Sequence, residues 1–314
     1  MTRSVDLSGV TVATILPFHD DFSIDWASYE RVLAYCTRPK GIRAVFVNGH
    51  AGEGATLNDA ERIEVIRRTR AFIGPDVPLL SGIIAWSTAE AVAQAQMAEA
   101  AGVDAAVLFP LPQFSGGAGT DPRYALDYVD SVLAATSLPL SIFQQPVASG
   151  YGFSSAILGE LVARPRVIAV KEGSGDIGLY EDNLRRIKAV APGCYMLPSN
   201  YHWLVAQVAI GADGILSGMA SLIPDLLSDL WSAAEAGDLH TLRALNDQLY
   251  PIVRTIYGAP PLIEMHTRIK VALQHLGLIA SAVPRRPLLP VPADVAARVG
   301  QTVDAAGLAR LLSA

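Results

Sequence analysis

Val167-Ile-Ala-Val-Lys-Glu-Gly-Ser-Gly-Asp176 decides how this chain reads. An apolar, largely β-branched run ends on Lys171, and a glycine-rich turn follows at once. The chain holds only four lysines, Lys40, Lys171, Lys188 and Lys270, against twenty arginines. A lysine that ends a buried strand loses solvation, which disfavours the ammonium and lowers its pKa. A neutral amine can attack a carbonyl and form a Schiff base. An isolated lysine of this kind more often reaches into solvent, so its surroundings decide.

Seven further runs of this character flank it. The predicted strands are 10–16, 44–47, 77–84, 105–109, 138–143, 167–171, 195–197 and 214–216. Their continuous apolar character fits strands buried on both faces. Helical periodicity fills the gaps, as in 59–73 and 88–101. The second has Thr88 as N-cap candidate and Gly102 as C-cap. Eight strand–helix alternations predict an α/β (β/α)8 TIM barrel over residues 1–236. Purely helical segments at 224–236, 240–256, 261–276 and 291–312 predict the last barrel helix and a C-terminal helical extension over 237–314. A doubly wound open sheet is the alternative, but no Gly-x-Gly-x-x-Gly follows the first strand.

Composition narrows the function classes. Apolar residues make up 51% and charged residues 17%, enough for a large core. A net charge of −6 argues against a nucleic-acid partner. Cys36 and Cys194 lack metal-ligand spacing and read as small buried residues in a reducing compartment. The opening residues lack an apolar signal region, and no apolar stretch of about 18 residues occurs. The expectation is a cytoplasmic protein with no membrane partner.

Chemistry in such barrels sits where strands end. Four predicted strand ends carry unusual residues: Asn48-Gly-His-Ala-Gly-Glu53, Phe109-Pro-Leu-Pro112, Phe143-Gln-Gln-Pro146 and Lys171-Glu-Gly-Ser174. A barrel gathers all four round one mouth and aims Lys171 at a cavity.

With these motifs the chain resembles the dihydrodipicolinate synthase / N-acetylneuraminate lyase family over nearly its whole length. Gly9-Val-Thr-Val-Ala-Thr-Ile-Leu-Pro-Phe18 resembles the family's opening strand. Val47-Asn-Gly-His-Ala-Gly-Glu-Gly-Ala-Thr-Leu57 resembles its Gly-Thr-Thr-Gly-Glu loop. Ser87-Thr-Ala-Glu-Ala91 resembles the start of its third helix. Ile168-Ala-Val-Lys-Glu-Gly-Ser-Gly-Asp176 resembles its Schiff-base strand, and Gly211-Ala-Asp-Gly-Ile-Leu-Ser217 its eighth strand. The resemblance implies a Schiff base between Lys171 and a 2-oxo acid, most often pyruvate. It also implies a homotetramer built as a dimer of dimers, with no metal or organic cofactor.

The chain departs from the family pattern where protons move. His50 and Ala51 stand at the two hydroxyl positions of the loop, while Gly49 and Gly52 keep the turn and Glu53 matches the loop anchor. Phe143 replaces the tyrosine whose phenol serves the Schiff base. Leu111-Pro112 replaces a tyrosine offered to a neighbouring subunit. Ala148 replaces an arginine that holds a carboxylate in the synthases. The expectation is therefore a Schiff-base-forming lyase, a pyruvate-type aldolase or hydro-lyase, and not a true dihydrodipicolinate synthase. A catalytically impaired 2-oxo acid binder or sensor is the alternative.

Lys171 and His50 are the expected catalytic residues, because a histidine titrates near neutrality. Gly49, His50, Ala51, Phe143, Gln145, Ser174 and Leu216 are the expected substrate-binding set. Gln145 shares a strand face with Phe143. Ser174 could equally cap the next helix. The apolar Leu111, Pro112 and Phe114 suggest a less polar distal substrate group. His202 is expected near the rim and His266 in packing or an interface.

Overall fold

The computed structural model of the protein describes residues 5–117, 121–199 and 202–308. Its strands are β1 (Val10–Ala13), β2 (Ile42–Val47), β3 (Leu79–Ile83), β4 (Ala105–Leu108), β5 (Leu140–Gln144), β6 (Val167–Glu172), β7 (Tyr195–Pro198) and β8 (Ile215–Ser217). β1 to β7 pair in parallel, each with its sequence neighbour, and β8 pairs in parallel with β1. All eight predicted strands are present, each displaced by a few residues at its ends. β3 and β4 are buried at every position, as strands covered on both faces must be.

The barrel closes between β7 and β8 without a ladder. Asp213 bridges the seam: its backbone N–H donates to Met196 O at 3.0 Å, and its carboxylate accepts from Met196 N–H at 2.7 Å. Lys188 Nζ holds the same carboxylate at 2.7 Å.

Helices α1 (Trp26–Cys36), α2 (Asp59–Ile73), α3 (Thr88–Ala101), α4 (Pro122–Ala135), α5 (Ser155–Val162), α6 (Ile177–Val190), α7 (Leu204–Ile210) and α8 (Pro224–Glu235) each follow one strand. Sequence-local signals set their ends. Asn58 and Glu61 form a reciprocal capping box on α2. α3 is capped by Ser87, one residue before the expected Thr88: the Ser87 side chain accepts the Glu90 N–H, and Gly102 ends the helix at φ 95°.

Three more helices complete the chain: α9 (Leu239–Ile252), α10 (Met265–His275) and α11 (Ala293–Ala305). Two differ from expectation. Pro251 lies in the last turn of α9 and cannot donate a backbone hydrogen bond. The chain then widens into a π turn, Val253–Tyr257, closed by Gly258 N–H to Val253 O at 2.7 Å. α10 begins at Met265 rather than 261, because Pro260 and Pro261 cannot supply helical donors and only a short 3-10 turn, Leu262–Glu264, precedes it. The predicted helix over 291–312 shortens to α11, which ends at Ala305, and residues 309–312 lie outside the described residues. Among the described residues no helix is long and apolar enough to cross a membrane.

A buried ion pair ties these last helices to the mouth of the barrel. Lys270 Nζ on α10 pairs with Glu53 Oε1, and Arg285 N–H donates to Glu53 Oε2 at 2.7 Å. Lys270 and Glu53 are both buried, and Lys270 Nζ stands 4.2 Å from the Phe18 ring.

Candidate active site

Strand alternation turns Lys171 inward. It lies in register with Phe143 on β5 and Leu197 on β7, and it is only 7% exposed. Its Nζ sits 4.0 Å from the Phe143 ring centroid, 5.3 Å from Phe46 and 5.8 Å from Phe109. The rings offer the ammonium a weak electrostatic contact but no proton acceptor. No hydrogen bond or ion pair to Lys171 Nζ is found among the described residues. Burial lowers the amine from its usual 10.5 to about 7. It faces a cavity of about 410 Å³ at the strand ends.

The loop after β2 forms the opposite wall. Asn48 adopts φ 56°, a left-handed conformation that asparagine tolerates better than most residues. Gly49 is required by close approach, since a Cβ there would stand 2.5 Å from the Phe46 ring. The loop folds on itself through Glu53 N–H to His50 O at 3.0 Å and Gly54 N–H to Gly49 O at 2.9 Å. The N–H groups of His50 and Ala51 donate to no protein acceptor among the described residues. Two adjacent free amides at a cavity wall suit a carboxylate.

His50 joins the aromatic wall, its ring 4.8 Å from Phe109 and 5.8 Å from Phe143. The ring is open to the cavity yet closely surrounded by protein. That crowding, and secondarily the Lys171 charge, pushes its pKa below 6.5. At pH 7 the imidazole is neutral and can accept a proton.

The expected residues divide in two. Lys171, His50, Ala51, Phe143, Gln145 and Leu216 line the one cavity. Gln144 points the other way, where its Nε2 donates to Phe153 O at 2.8 Å and its Oε1 accepts Phe153 N–H at 2.9 Å. Gly49 shapes the loop without lining the cavity. Ser174 does not line it either: it is buried, its N–H donates to Glu172 Oε1 at 3.2 Å, and Asp176 rather than Ser174 caps α6.

Two expectations need correction. Leu111 and Phe114 are buried, Phe114 against Tyr128 and Phe153 at 5.6 and 6.1 Å, so they pack their own loop instead of meeting a substrate. His266, expected in packing or an interface, lines the cavity. Beside it stands Tyr257, which sequence reading passed over because it lies on no strand and in no family motif. Its only local signal is Pro251, a helix breaker six residues earlier. His202 does reach the cavity wall as expected.

The match to known proteins is broad. The Dihydrodipicolinate synthetase family model covers residues 6–306. The 4-hydroxy-tetrahydrodipicolinate synthase of Neisseria gonorrhoeae is 29% identical over 301 residues, spanning 96% of this chain and 99% of that enzyme. The crystal structure of dihydrodipicolinate synthase from Thermotoga maritima superposes with a TM-score of 0.88 at 21% identity, covering 96% of this chain and 99% of that one. A prophage protein of the same family from E. coli K12, crystallised with pyruvate, gives a TM-score of 0.87 at 20% identity, covering 96% and 99%. A near-closed ring of eight parallel strands, a buried lysine at the end of the sixth and a match along almost the entire sequence lead to one assignment: this chain belongs to the dihydrodipicolinate synthetase family.

Proposed function

We propose that Lys171 condenses with a 2-oxo acid of the pyruvate type and that the protein is a Schiff-base lyase, a pyruvate-type aldolase or hydro-lyase. The family is one of class I aldolase-type lyases. The observation that carries the reading is a buried amine, lowered to about 7 and free of any acidic partner among the described residues, facing an open cavity.

The chemistry follows from that amine. Neutral Lys171 Nζ attacks the keto carbon and gives a carbinolamine. Loss of water gives an iminium, whose positive nitrogen accepts the electron pair released when a proton or a carbon substituent leaves the adjacent carbon. The substrate carboxylate docks on the N–H groups of His50 and Ala51. The neutral His50 ring takes part as acid–base group at the departing oxygen. Gln145 offers hydrogen bonds to the distal end.

True dihydrodipicolinate synthase activity is not part of the proposal, although relatives carry that name. Ala148 offers no charge to a second carboxylate, and Phe143 offers no phenol. The same Phe143 favours the second reading, a 2-oxo acid binder or sensor that forms the imine without turnover. In either case we take residues 1–236 as the barrel and 237–314 as the extension. The protein is proposed to act in the cytoplasm as a homotetramer, a dimer of dimers, with no cofactor.

The test is direct. Incubate the protein with pyruvate, add borohydride and measure its mass. An adduct that disappears in Lys171→Ala supports the imine; no adduct on the wild type refutes it. Pyruvate release from candidate aldols, lost in His50→Ala, separates an enzyme from a binder. Sizing chromatography with light scattering checks the tetramer.

A further inference from the structure

We propose that Tyr257 and His266 form the acid–base pair that moves the proton at the carbon next to the Lys171 imine, in place of the phenol that Phe143 lacks. The inference rests on the Schiff-base reading above and adds a proton route that His50 does not provide.

Two side chains from the last helices converge on one point. A Cβ added at Gly218 would stand 3.2 Å from His266 Nε2 and 3.3 Å from Tyr257 Oη. Gly218 follows β8 at the barrel mouth, and all three residues line the cavity that holds Lys171. The missing side chain at 218 thus leaves both polar atoms facing the cavity. The rings of Tyr257 and His266 meet edge to face, 5.7 Å apart. Tyr257 ends the π turn after Pro251, and such turns recur at functional sites.

The strand order says which substrate atom lies there. In a ring of eight, β2 stands opposite β6 and β4 opposite β8. A 2-oxo acid held by its carboxylate at the β2 loop and by its keto carbon at Lys171 on β6 spans the first pair. Its third carbon must turn toward β4 or β8. At the end of β4 the Phe109 ring fills the space, packed on His50 and Phe143 at 4.8 and 4.9 Å. At β8 the cavity wall is apolar Leu216 and the bare Gly218, with the pair behind the glycine.

The step balances. The C–H bond of the iminium's neighbouring carbon breaks. Its electron pair forms the enamine C=C bond, and the C=N π pair moves to nitrogen. The proton passes to His266 Nε2 through the Tyr257 hydroxyl, which takes it and gives its own. One positive charge leaves the Lys171 nitrogen and one appears on His266. Before the step His266 is neutral: burial first, then His50, Lys171 and Lys270, hold it well below 6.5. Loss of the iminium charge removes one of those repulsions as the proton arrives, so the base strengthens during the transfer.

Exchange of pyruvate methyl protons in deuterium oxide, followed by NMR, reads this step without any second substrate. Tyr257→Phe should keep the borohydride-trapped adduct after long incubation, while methyl exchange falls about a hundredfold. His266→Gln, at a half-buried position, should lower exchange by tenfold or more with the adduct retained. Exchange at the wild-type rate in both variants overturns the pair. The adduct reports that each variant is folded. Absence of the adduct on the wild type would instead sink the Schiff-base reading.

Discussion

Phe143 lies in register with Lys171 across the β5–β6 ladder, and its ring centroid is 4.0 Å from the Lys171 nitrogen. A tyrosine there would hold its hydroxyl beside the imine. Phenylalanine gives the amine an apolar wall instead, which supports the free base and cannot carry a proton.

Phe143→Tyr should therefore raise pyruvate methyl exchange by about tenfold or more, the lower end of what one positioned acid–base group supplies. An unchanged rate would mean that a phenol at 143 does not reach the proton on this carbon and adds nothing to the route through Tyr257 and His266.

Lys171 itself costs stability at low pH. Its folded pKa of about 7 lies below the usual 10.5, so the unfolded chain binds more protons between those values and stability rises with pH across that window. Below pH 7 the penalty is complete. Lys171→Met should raise stability there by on the order of 2–5 kcal/mol. The gain should shrink as pH climbs from 7 toward 10.5. Denaturant unfolding at pH 6 and pH 9 checks the sign; a larger gain at pH 9 would contradict it.

The Glu53–Lys270 pair fixes the β2 loop to α10. Glu53→Gln leaves a buried lysine without its counter-charge and should cost about 3–5 kcal/mol in urea unfolding. Replacing both, as Glu53→Gln with Lys270→Met, should recover much of that loss, because the orphan charge is gone. If the double variant is no more stable than Glu53→Gln, the pair acts through shape and not charge.

Gly49→Ala tests the carboxylate loop. The new methyl would press on Phe46, whose ring carbon would lie 2.5 Å away, and the loop or the ring must move. Pyruvate titrated against the borohydride-trapped adduct should show affinity weakened about tenfold or more, since the paired N–H groups lose their aim. Unaltered affinity would place the carboxylate elsewhere.

Much of the architecture was legible in the chain. The eight apolar runs became eight strands because burial on both faces demands continuous apolar sequence. Lys171 was legible for a related reason: a charged residue ending such a run has to be oriented by the strand that carries it. Gln145 followed from two-residue alternation with Phe143. Ser174 was ambiguous because a serine after a glycine turn fits a cap and a ligand equally; in the structure Asp176 caps α6 and the Ser174 hydroxyl donates to Asp176 O. Leu111 and Phe114 failed because composition does not say which way a loop folds.

Sequence alone determined the barrel, the order of its strands, the lysine and the glycine-bearing loop, since each depends on local periodicity or on backbone freedom at one position. The tertiary structure decided the rest of the cavity. Tyr257 and His266 lie on helices far along the chain from Lys171, and no short-range pattern records that these helices fold back over the mouth. Their approach is set by long-range packing, by the buried charge pair at Glu53 and by the close contact that Gly218 permits, which only the assembled barrel brings together.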